Sequence, residues 1–465
     1  MAASVPGGKY QIDMTQGALV PKLIRFTVPL IAANSLQLVF HAFDLMVIGN
    51  FASTHALAAI GATTVLNTLI VTFFAGISIG TNVLVARYFG AKDPHKLHLT
   101  VHTSAAFALW GGFALTVLAV AAARPLLELL ETPQEILPGS TRYLQITFFG
   151  LPFVMFYNTG AAVLRALGDT KRPLYFLLIS AFAKALLNVL FVIGFHFDVA
   201  GVACATVLSQ SIMGLLILRT LLHGEGAGRL RWKQIRFEST SLKEILQLGI
   251  PASIQSSSYS ISNVLIQSAI NSFGAAAIAG NTAASSMEGI MHVGSLAFYQ
   301  AAMSFSAQNH GAGRITRVCR CILICIGAGA LVSGGSGLLF AIFGKPLLQI
   351  FTADPEAIRC GLIKMNCMFT VYFSIGVMES ISGSLRGLGY STSAMITTVT
   401  GVCGLRIAWV LAVFPHFRSL TCLYISYPIS WTLVSMLNGT LLWYVCRKLL
   451  REQRRQEAGL VKKSA

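Results

Sequence analysis

Five ionisable side chains lie inside long apolar stretches of this chain, and these are the residues whose types and positions could do chemistry. They are Asp44, Lys184, Glu288, Glu379 and Arg406. An ionised group is costly inside hydrocarbon, so such residues in membrane proteins generally face a water-filled cavity, pair with one another or bind an ion. The pattern therefore predicts a path for ions or charged small molecules.

The first apolar stretch carries Asp44, a carboxylate that can bind a proton, or a monovalent cation through its oxygens. The alternative is an aspartate at the membrane surface that is wetted from outside. In the fifth stretch, Asn188 can supply an amide oxygen or donor to the same site, or act only as a hydrogen-bonding residue in the packing. Lys184 lies one helical turn before Asn188 on the same face, where it can pair with Asp44 or extend toward an aqueous cleft. We expect Asp44 and Asn188 to form the ion-coupling site.

The second half of the chain carries Glu288, Glu379 and Arg406. A glutamate that faces a cavity would attract an organic cation or a proton, and an aromatic side chain such as Tyr299 could stack on that cation. A glutamate locked to Arg406 would instead be a structural ion pair. The sequence leaves both alternatives open. The candidates for a substrate cavity are Glu288, Glu379, Lys184, Arg406 and Tyr299.

Two prolines occupy matching places early in the first and seventh stretches. Pro29 and Pro251 each remove a backbone donor within a helix, which bends the helix and frees a carbonyl that can line a cavity. Such a bend either changes between conformations or is a fixed kink. We predict helix bends at both positions.

The elements that must position these residues are membrane helices. The chain of 465 residues is 55% hydrophobic and only 11% charged, so it is too apolar to cover its own surface with polar groups in water. Twelve apolar stretches are each long enough to cross about 30 Å of hydrocarbon as a helix. They lie at about 24–48, 56–86, 99–121, 140–164, 173–194, 199–222, 244–271, 276–307, 318–342, 359–385, 392–414 and 420–446. We therefore predict an all-α integral membrane protein with twelve transmembrane helices.

A repeat divides the twelve stretches into two sets of six. The motif Leu-Arg-Ala-Leu-Gly at 164–168 returns as Leu-Arg-Gly-Leu-Gly at 385–389, which is 221 residues later. Two copies of an even-numbered helical unit share one orientation in the membrane, which is a known plan among transporters. We predict two pseudo-symmetric six-helix bundles. The expected domains are an N-terminal segment 1–23, an N-lobe 24–222, a linker 223–243, a C-lobe 244–446 and a tail 447–465.

The distribution of basic residues predicts the orientation in the membrane. Net charge is +17, and 26 of the 34 Lys and Arg residues fall on the side shared by the termini and the even-numbered loops, against 6 on the opposite side. Because loops rich in Lys and Arg stay in the cytoplasm, we expect a multi-pass protein of the inner (plasma) membrane with both termini cytoplasmic. This bias explains the basic excess without a nucleic-acid partner. The expected partners are the lipid bilayer and small organic cations, and we expect a monomer.

No motif in the sequence indicates a resident cofactor or metal. The nine cysteines show no zinc-ligand spacing, and no phosphate-binding loop for ATP is present. The ten histidines are scattered and do not form the cluster that a membrane-embedded transferase or hydrolase would need. An enzyme is therefore only a distant alternative, and the one expected small ion is a transported H+ or Na+.

Seven motifs, in order along the chain, resemble the multidrug and toxic compound extrusion (MATE) family, in particular its bacterial branch common in Firmicutes. The similarity runs over about 24–446. The motifs are 44–49 after Pro29, 58–61, 85–91 and 164–169 in the first half, and 279–284, 305–312 and 378–389 in the second.

The resemblance implies two bundles around a cleft that opens to one side at a time. It also implies antiport, in which cationic and often aromatic compounds leave the cell as H+ or Na+ enters. The family's first-helix aspartate matches Asp44, and its fifth-helix asparagine matches Asn188. Some members carry a second aspartate one turn later, where this chain has Val192, so a single protonatable Asp44 favours H+ over Na+.

The alternative within transport is a flippase for a lipid-linked oligosaccharide, because flippases belong to the same superfamily. A polyanionic headgroup would favour a cavity rich in Arg and Lys. The apolar stretches hold about as many acidic as basic groups, which favours cations instead.

Overall fold

The computed structural model describes residues 11–51, 54–195, 197–224 and 226–464, except for the side chains of 41, 44, 45, 47–51, 54–57, 65, 227 and 456–464. Throughout these ranges the regular structure is helical, with no strand among the described residues. This confirms the predicted all-α class, which follows because a helix satisfies every backbone polar group within its own segment.

The described residues divide into two compact units. Unit 1 comprises the described parts of Met1–Asp13 and Ala32–Ser253, and unit 2 comprises Met14–Ile31 and Ile254–Ala465. The helices of the first half are α1 (Leu19–Phe51), α2 (Thr54–Gly90), α3 (Pro94–Ala106), α4 (Gly112–Leu129), α5 (Leu137–Phe148), α6 (Leu151–Ala166), α7 (Lys171–Asn188) and α8 (Asp198–Leu222). Those of the second half are α9 (Ser239–Asn271), α10 (Ala275–Gly311), α11 (Ile315–Ile342), α12 (Gly344–Gln349), α13 (Pro355–Met368), α14 (Phe373–Gly387), α15 (Ser391–Thr398), α16 (Leu405–Ala408) and α17 (Leu420–Ser464).

All twelve predicted stretches are helical in the structure. Eight of the described spans are long and apolar enough to cross a membrane, and the bent pairs α5 with α6 and α13 with α14 raise the number to ten. The seventh and eighth predicted stretches correspond to α9 and α10, which are 33 and 37 residues long. They are not among the ten apolar spans. They are long enough to span a bilayer at about 1.5 Å per residue.

Among the described spans, three contain or end in π-helical turns. The turns lie at Phe107–Gly111 between α3 and α4, at Val189–Gly194 after α7, and at Val399–Gly404 and Trp409–Val413 on either side of α16. A π turn holds one extra residue, changes the direction of the following side chains and is frequent at functional sites. The α7 turn and the Trp409–Val413 turn occupy matching places in the two repeats.

Small residues set how closely the helices pack in each unit. In unit 2, a Cβ on Gly376 would collide with the backbone carbonyl of Gly329, so α14 and α11 touch through their backbones. In unit 1, a Cβ on Gly76 would collide with Ser253. Lipid gives helices no hydrophobic drive to associate, so close backbone approach of this kind supplies the packing contacts.

The two prolines mark where each of their helices changes unit. Helix α1 contains Pro29, and its residues belong to unit 2 up to Ile31 and to unit 1 from Ala32. Helix α9 contains Pro251, and the change follows Ser253. The predicted lobes, 24–222 and 244–446, were defined by the sequence repeat, and their boundaries stay predictions. Units 1 and 2 are defined instead by which residues pack together.

Candidate functional site

An ion pair joins two helices of unit 2. The Glu288 carboxylate on α10 lies 3.1 Å from the Lys364 ammonium on α13, and the two side chains are 23% and 5% exposed. The same ammonium donates a hydrogen bond of 2.5 Å to the Ser285 hydroxyl. The Tyr372 hydroxyl also donates to the backbone carbonyl of Glu288 over 3.4 Å. Glu288 therefore has a basic partner inside the protein.

The guanidinium of Arg406 contacts rings and a hydroxyl. It is buried on α16, its Nε donates to the Ser430 hydroxyl over 3.1 Å, and its central carbon lies 3.9 Å from the ring centroid of Tyr427. The Trp431 ring centroid is 5.9 Å away. Among the described residues no carboxylate pairs with Arg406, so the alternative of a structural Glu–Arg406 pair is wrong. The cation is instead held by cation–π contacts.

A second buried guanidinium ties three helices together. Arg386, at the end of α14, is 3% exposed. It donates hydrogen bonds to the Tyr299 hydroxyl on α10 and, over 2.7 Å, to the Gln255 side-chain oxygen on α9. The sequence analysis counted Arg386 as one of the 26 basic residues on the side of the termini, whereas the structure places it at the end of α14 with buried partners. Its position in the repeated motif was the signal that it has a specific role.

The carboxylate of Glu379 lies near charged groups but has no direct partner among the described residues. Glu379 lies on α14 and is partly buried, and His292 and Arg386 are the charged groups that act on it. It also acts electrostatically on Tyr259 of α9. Within the described part of the chain, Glu379 forms neither a hydrogen bond nor an ion pair. Of the two glutamates within the spans of unit 2, Glu379 is therefore the one that retains capacity for a proton or a cation.

The predicted stacking residue Tyr299 and the neighbouring Tyr372 are packed against other side chains in this conformation. Tyr299 and Tyr372 are buried. Tyr299 receives the Arg386 guanidinium 5.5 Å from its ring centroid, and Tyr372 meets the Trp431 ring edge to face at 5.7 Å. Because both rings have internal partners, stacking on a ligand would require these contacts to be exchanged.

The predicted coupling residues lie in unit 1. Asn188 is fully buried as the last residue of α7, directly before the π turn Val189–Gly194. Lys184 lies one turn earlier and is partly buried. Asp44 is in α1, and its side chain is outside the described residues, so its relation to Asn188 and Lys184 stays a prediction. Val192 is buried within the π turn.

Sequence reasoning missed several residues of the unit 2 site. The sequence analysis counted Lys364 only as one of the 6 basic residues on the side opposite the termini. It gave no significance to His292, Tyr427 or Trp431. Lys364 is 76 positions from its partner Glu288, so no local spacing could have joined them. Among the described residues, no group of three or more His, Cys, Asp or Glu side chains could hold a metal ion.

These features define a class of protein before any relative is considered. Two sets of membrane-spanning helices, built on one repeat and carrying ionisable groups within the spans, form a multi-pass membrane protein with a duplicated core. A family model described as MatE matches residues 29–190 and 251–410, and the chain belongs to this family.

Known proteins agree with this assignment along nearly the whole chain. "Probable multidrug resistance protein YpnP" of Bacillus subtilis is 29% identical over 402 residues, covering 85% of this chain and 88% of that protein. "Probable multidrug resistance protein NorM" of Thermotoga maritima is 24% identical, with 85% and 86% covered. A solved structure of an outward-facing multidrug resistance MATE family transporter matches with a TM-score of 0.89 at 19% identity, covering 96% of this chain and 100% of that one. The resemblance to the MATE family predicted from the motifs is confirmed.

Proposed function

We propose that this protein exports organic cations, including drugs, across the cell membrane by alternating access, in exchange for an inward flow of H+. The family assignment supports transport, and the names of the relatives support multidrug export. The proposal that the substrates are cations rests on which charged side chains of unit 2 have partners within the protein. Lys364, Arg386 and Arg406 are engaged by protein groups, whereas Glu379 has no direct partner among the described residues.

An unpaired carboxylate in a partly buried position attracts a cation more strongly than it would in water, because the local dielectric constant is lower. The nearby rings of Tyr259 and Tyr299 add polarisable surface that suits aromatic cations. In this proposal Glu379 sets the preference for positive charge, while Glu288, already paired with Lys364, acts in shape and stability.

The coupling ion in this proposal binds at Asp44 and Asn188. A sodium ion needs several oxygen ligands, as hard cations do in proteins, whereas a proton needs one carboxylate. The position one turn after Asn188 is the buried, apolar Val192, which supplies no oxygen from its side chain. This supports H+ over Na+. Coupling then follows if occupancy of Asp44 changes the balance between outward-facing and inward-facing states.

A lipid-linked oligosaccharide flippase is the second candidate, because the described part of unit 2 buries three basic side chains. A polyanionic headgroup would need such cations to be free to bind it. Each of the three already has a protein partner. This favours the organic-cation exporter.

The decisive experiment measures efflux of a fluorescent organic cation in everted membrane vesicles. A pH gradient and a Na+ gradient are imposed separately, with the Asp44→Asn variant as the uncoupled control. We expect transport to be driven by the pH gradient and to be lost in the variant. Transport driven equally well by Na+ alone would overturn H+ coupling, and the absence of cation transport under either gradient would overturn the exporter.

The proposed orientation is multi-pass in the cell membrane with both termini in the cytoplasm. It rests on the bias of Lys and Arg residues between the two sides. A protease site inserted near Glu131, in the exposed loop after α4, should be cut by protease added outside cells whose cell membrane is intact. Tags at either terminus should be protected in the same cells. Cutting at a terminal tag would contradict the orientation.

A further inference from the structure

A basic groove lies in unit 1 where α3 begins, against the linker that follows α8. It consists of two adjoining cavities with volumes of about 720 Å³ and about 310 Å³. Both are lined by His95, His98 and Gln234. The larger cavity adds Arg229 and Arg231. We call these two cavities together the linker groove.

The linker groove is held in shape by hydrogen bonds between the linker and α3. His102 is buried, and its Nδ1 lies 2.8 Å from the carbonyl oxygen of His98, so this nitrogen carries the proton. Its Nε2 accepts a hydrogen bond of 3.0 Å from the Arg231 backbone N–H. Arg229 donates from Nε to the Leu222 carbonyl at the end of α8 over 2.9 Å. The linker is therefore docked on α3 by directed contacts.

Positive charge dominates the described lining of the linker groove. The smaller cavity adds Lys233 and Arg236 to the basic residues of the larger one. Both side chains are exposed, and within the described part of the chain neither forms an ion pair. Glu225, between Gly224 and Gly226 in the sequence, lies outside the described residues.

The acidic residue in the described lining is committed elsewhere. Glu238 accepts hydrogen bonds from the backbone N–H groups of Thr240 over 3.0 Å and Ser241 over 2.5 Å, which caps the start of α9. Hydrogen bonds from the Ser241 hydroxyl and backbone hold the pKa of Glu238 at about 2. The carboxylate is therefore ionised and satisfied by the helix start, so it leaves the groove cations available for an external anion.

The linker also carries exposed aromatic residues beside these cations. Trp232 and Phe237 are 54% and 50% exposed, and they alternate along the chain with Arg231, Lys233 and Arg236. The groove stands at the level where the spans Pro94–Leu129 and Asp198–Leu222 end. Aromatic rings at the end of membrane spans favour the headgroup region, and clustered basic residues there favour anionic lipids.

We propose that the linker groove binds the phosphate headgroup of an anionic phospholipid. Arg231, Lys233 and Arg236 supply charge and donors to the phosphate, and His95 supplies a ring nitrogen, while Trp232 and Phe237 lie in the interfacial layer beside the acyl chains. A soluble phosphate would use the same cations and would gain nothing from the rings. The rings are therefore the reason for choosing a lipid as the source of the anion.

The test measures the binding of defined lipids to the full-length protein in detergent. Short-chain phosphatidylglycerol is titrated while Tm is followed, with phosphatidylcholine of the same chain length as the uncharged-headgroup comparison. The groove variant combines Lys233→Gln with Arg236→Gln. The matched control combines Arg451→Gln with Arg454→Gln, which removes two exposed cations from the end of α17.

We expect phosphatidylglycerol to raise Tm more than phosphatidylcholine does in the parent and in the control, because a ligand that binds the folded state stabilises it. The groove variant should need at least fivefold more phosphatidylglycerol for half of the effect. Equal titrations for the groove variant and the parent would overturn the groove as the site.

Two further measurements separate a lipid from a soluble anion. Glycerol 3-phosphate, which carries the phosphate without acyl chains, should leave Tm unchanged at concentrations where phosphatidylglycerol saturates. Trp232→Ser should weaken the phosphatidylglycerol effect at least twofold. If glycerol 3-phosphate reproduced the full shift, or if Trp232→Ser had no effect, the assignment to a lipid would be wrong.

Discussion

The two copies of the repeated motif agree in their backbone and differ in their partners. Gly168 and Gly389, the last residues of the copies, have φ angles of +90° and +98°, a conformation that favours glycine. The arginines of the copies have diverged. Arg386 is buried against Tyr299 and Gln255, whereas Arg165 is partly buried with Tyr157 as its electrostatic neighbour.

The residue after each glycine differs in the same way. In the first copy Asp169 accepts backbone hydrogen bonds from Lys171 and Arg172, both over 3.1 Å, at the start of α7, and it also pairs with the Arg172 side chain. In the second copy the residue is Tyr390. Duplication has thus preserved the turn that redirects the chain, while the buried polar contacts were free to specialise in each unit.

The largest effect is expected from a substitution of Asp44 and would show that the coupling ion binds in unit 1. Asp44→Asn removes the titratable group without changing its size, so we expect driven efflux to fall at least tenfold while the protein level stays near that of the parent. Transport in vesicles with an imposed pH gradient is the measurement. A variant that pumps as well as the parent would move the coupling site to unit 2, with Glu379 as the first residue to substitute.

The next largest effect is expected on stability, when the arginine in each copy of the repeated motif is replaced. Arg386→Ala leaves the Tyr299 hydroxyl and the Gln255 amide buried without this donor, and each such loss costs roughly 1–3 kcal/mol. We expect a loss of roughly 2–4 kcal/mol, seen as a lower Tm in detergent. Arg165→Ala is the matched control and should cost less. Equal losses would show that the two copies have not diverged in the way their contacts indicate.

The two glutamates of unit 2 should differ in the kind of loss. Glu379→Gln should weaken transport of monocations several-fold more than transport of neutral analogues, with little change in Tm. Glu288→Gln leaves Lys364 without its carboxylate and should cost roughly 2 kcal/mol, which is below the range for a fully buried pair because Glu288 is partly exposed. Protein level and Tm should then fall for this variant.

A rescue experiment checks the assignment of Glu288. Adding Lys364→Met to Glu288→Gln removes the unpaired ammonium and should restore most of the lost Tm. Adding an Arg406 substitution should give no rescue, because its partners are rings and a hydroxyl. Rescue of Glu288→Gln by an Arg406 substitution would contradict the pairing of Glu288 with Lys364. An equal loss of transport for charged and neutral substrates in Glu379→Gln would contradict its role in charge preference.

The smallest expected effects concern the motif glycines. An L residue at the φ angle of Gly389 costs roughly 1–2 kcal/mol, so Gly389→Ala should lower Tm by a few degrees. Gly168→Ala should cost more, because its Cβ would also meet the backbone nitrogen of Ile12 at 2.6 Å. Thermal unfolding of both variants in the same detergent gives the comparison, and a larger cost at Gly389 would contradict it.

The sequence predicted the spans well because the bilayer leaves few choices. An apolar stretch of about 20 residues must be a helix, and a repeat at a fixed offset implies a repeated fold. The π turns could not be predicted, because Phe107–Gly111 and Val189–Gly194 have the same apolar composition as the helices around them.

The site was harder to predict than the fold for a physical reason. Glu288, Glu379 and Arg406 were found because charge is rare inside an apolar stretch. Their partners depend on which helices pack together, and neither Lys364 nor Trp431 carries a sequence signal for its contact. Glu288 lies on α10, which packs against α11, α13 and α14, and the sequence alone does not show which of these neighbours supplies its partner.

The change of unit within α1 and α9 has a consequence for how this protein is made. Residues Met14–Ile31 leave the ribosome well before the rest of their unit, whose other residues begin at Ile254. They must therefore wait until all of the intervening chain has been synthesised before they meet their final neighbours. Unit 1 likewise stays incomplete until Ser253 has emerged. Neither half of the chain, produced alone, would contain all the residues of one unit, so co-expressed halves cut within the linker would have to exchange these segments to assemble.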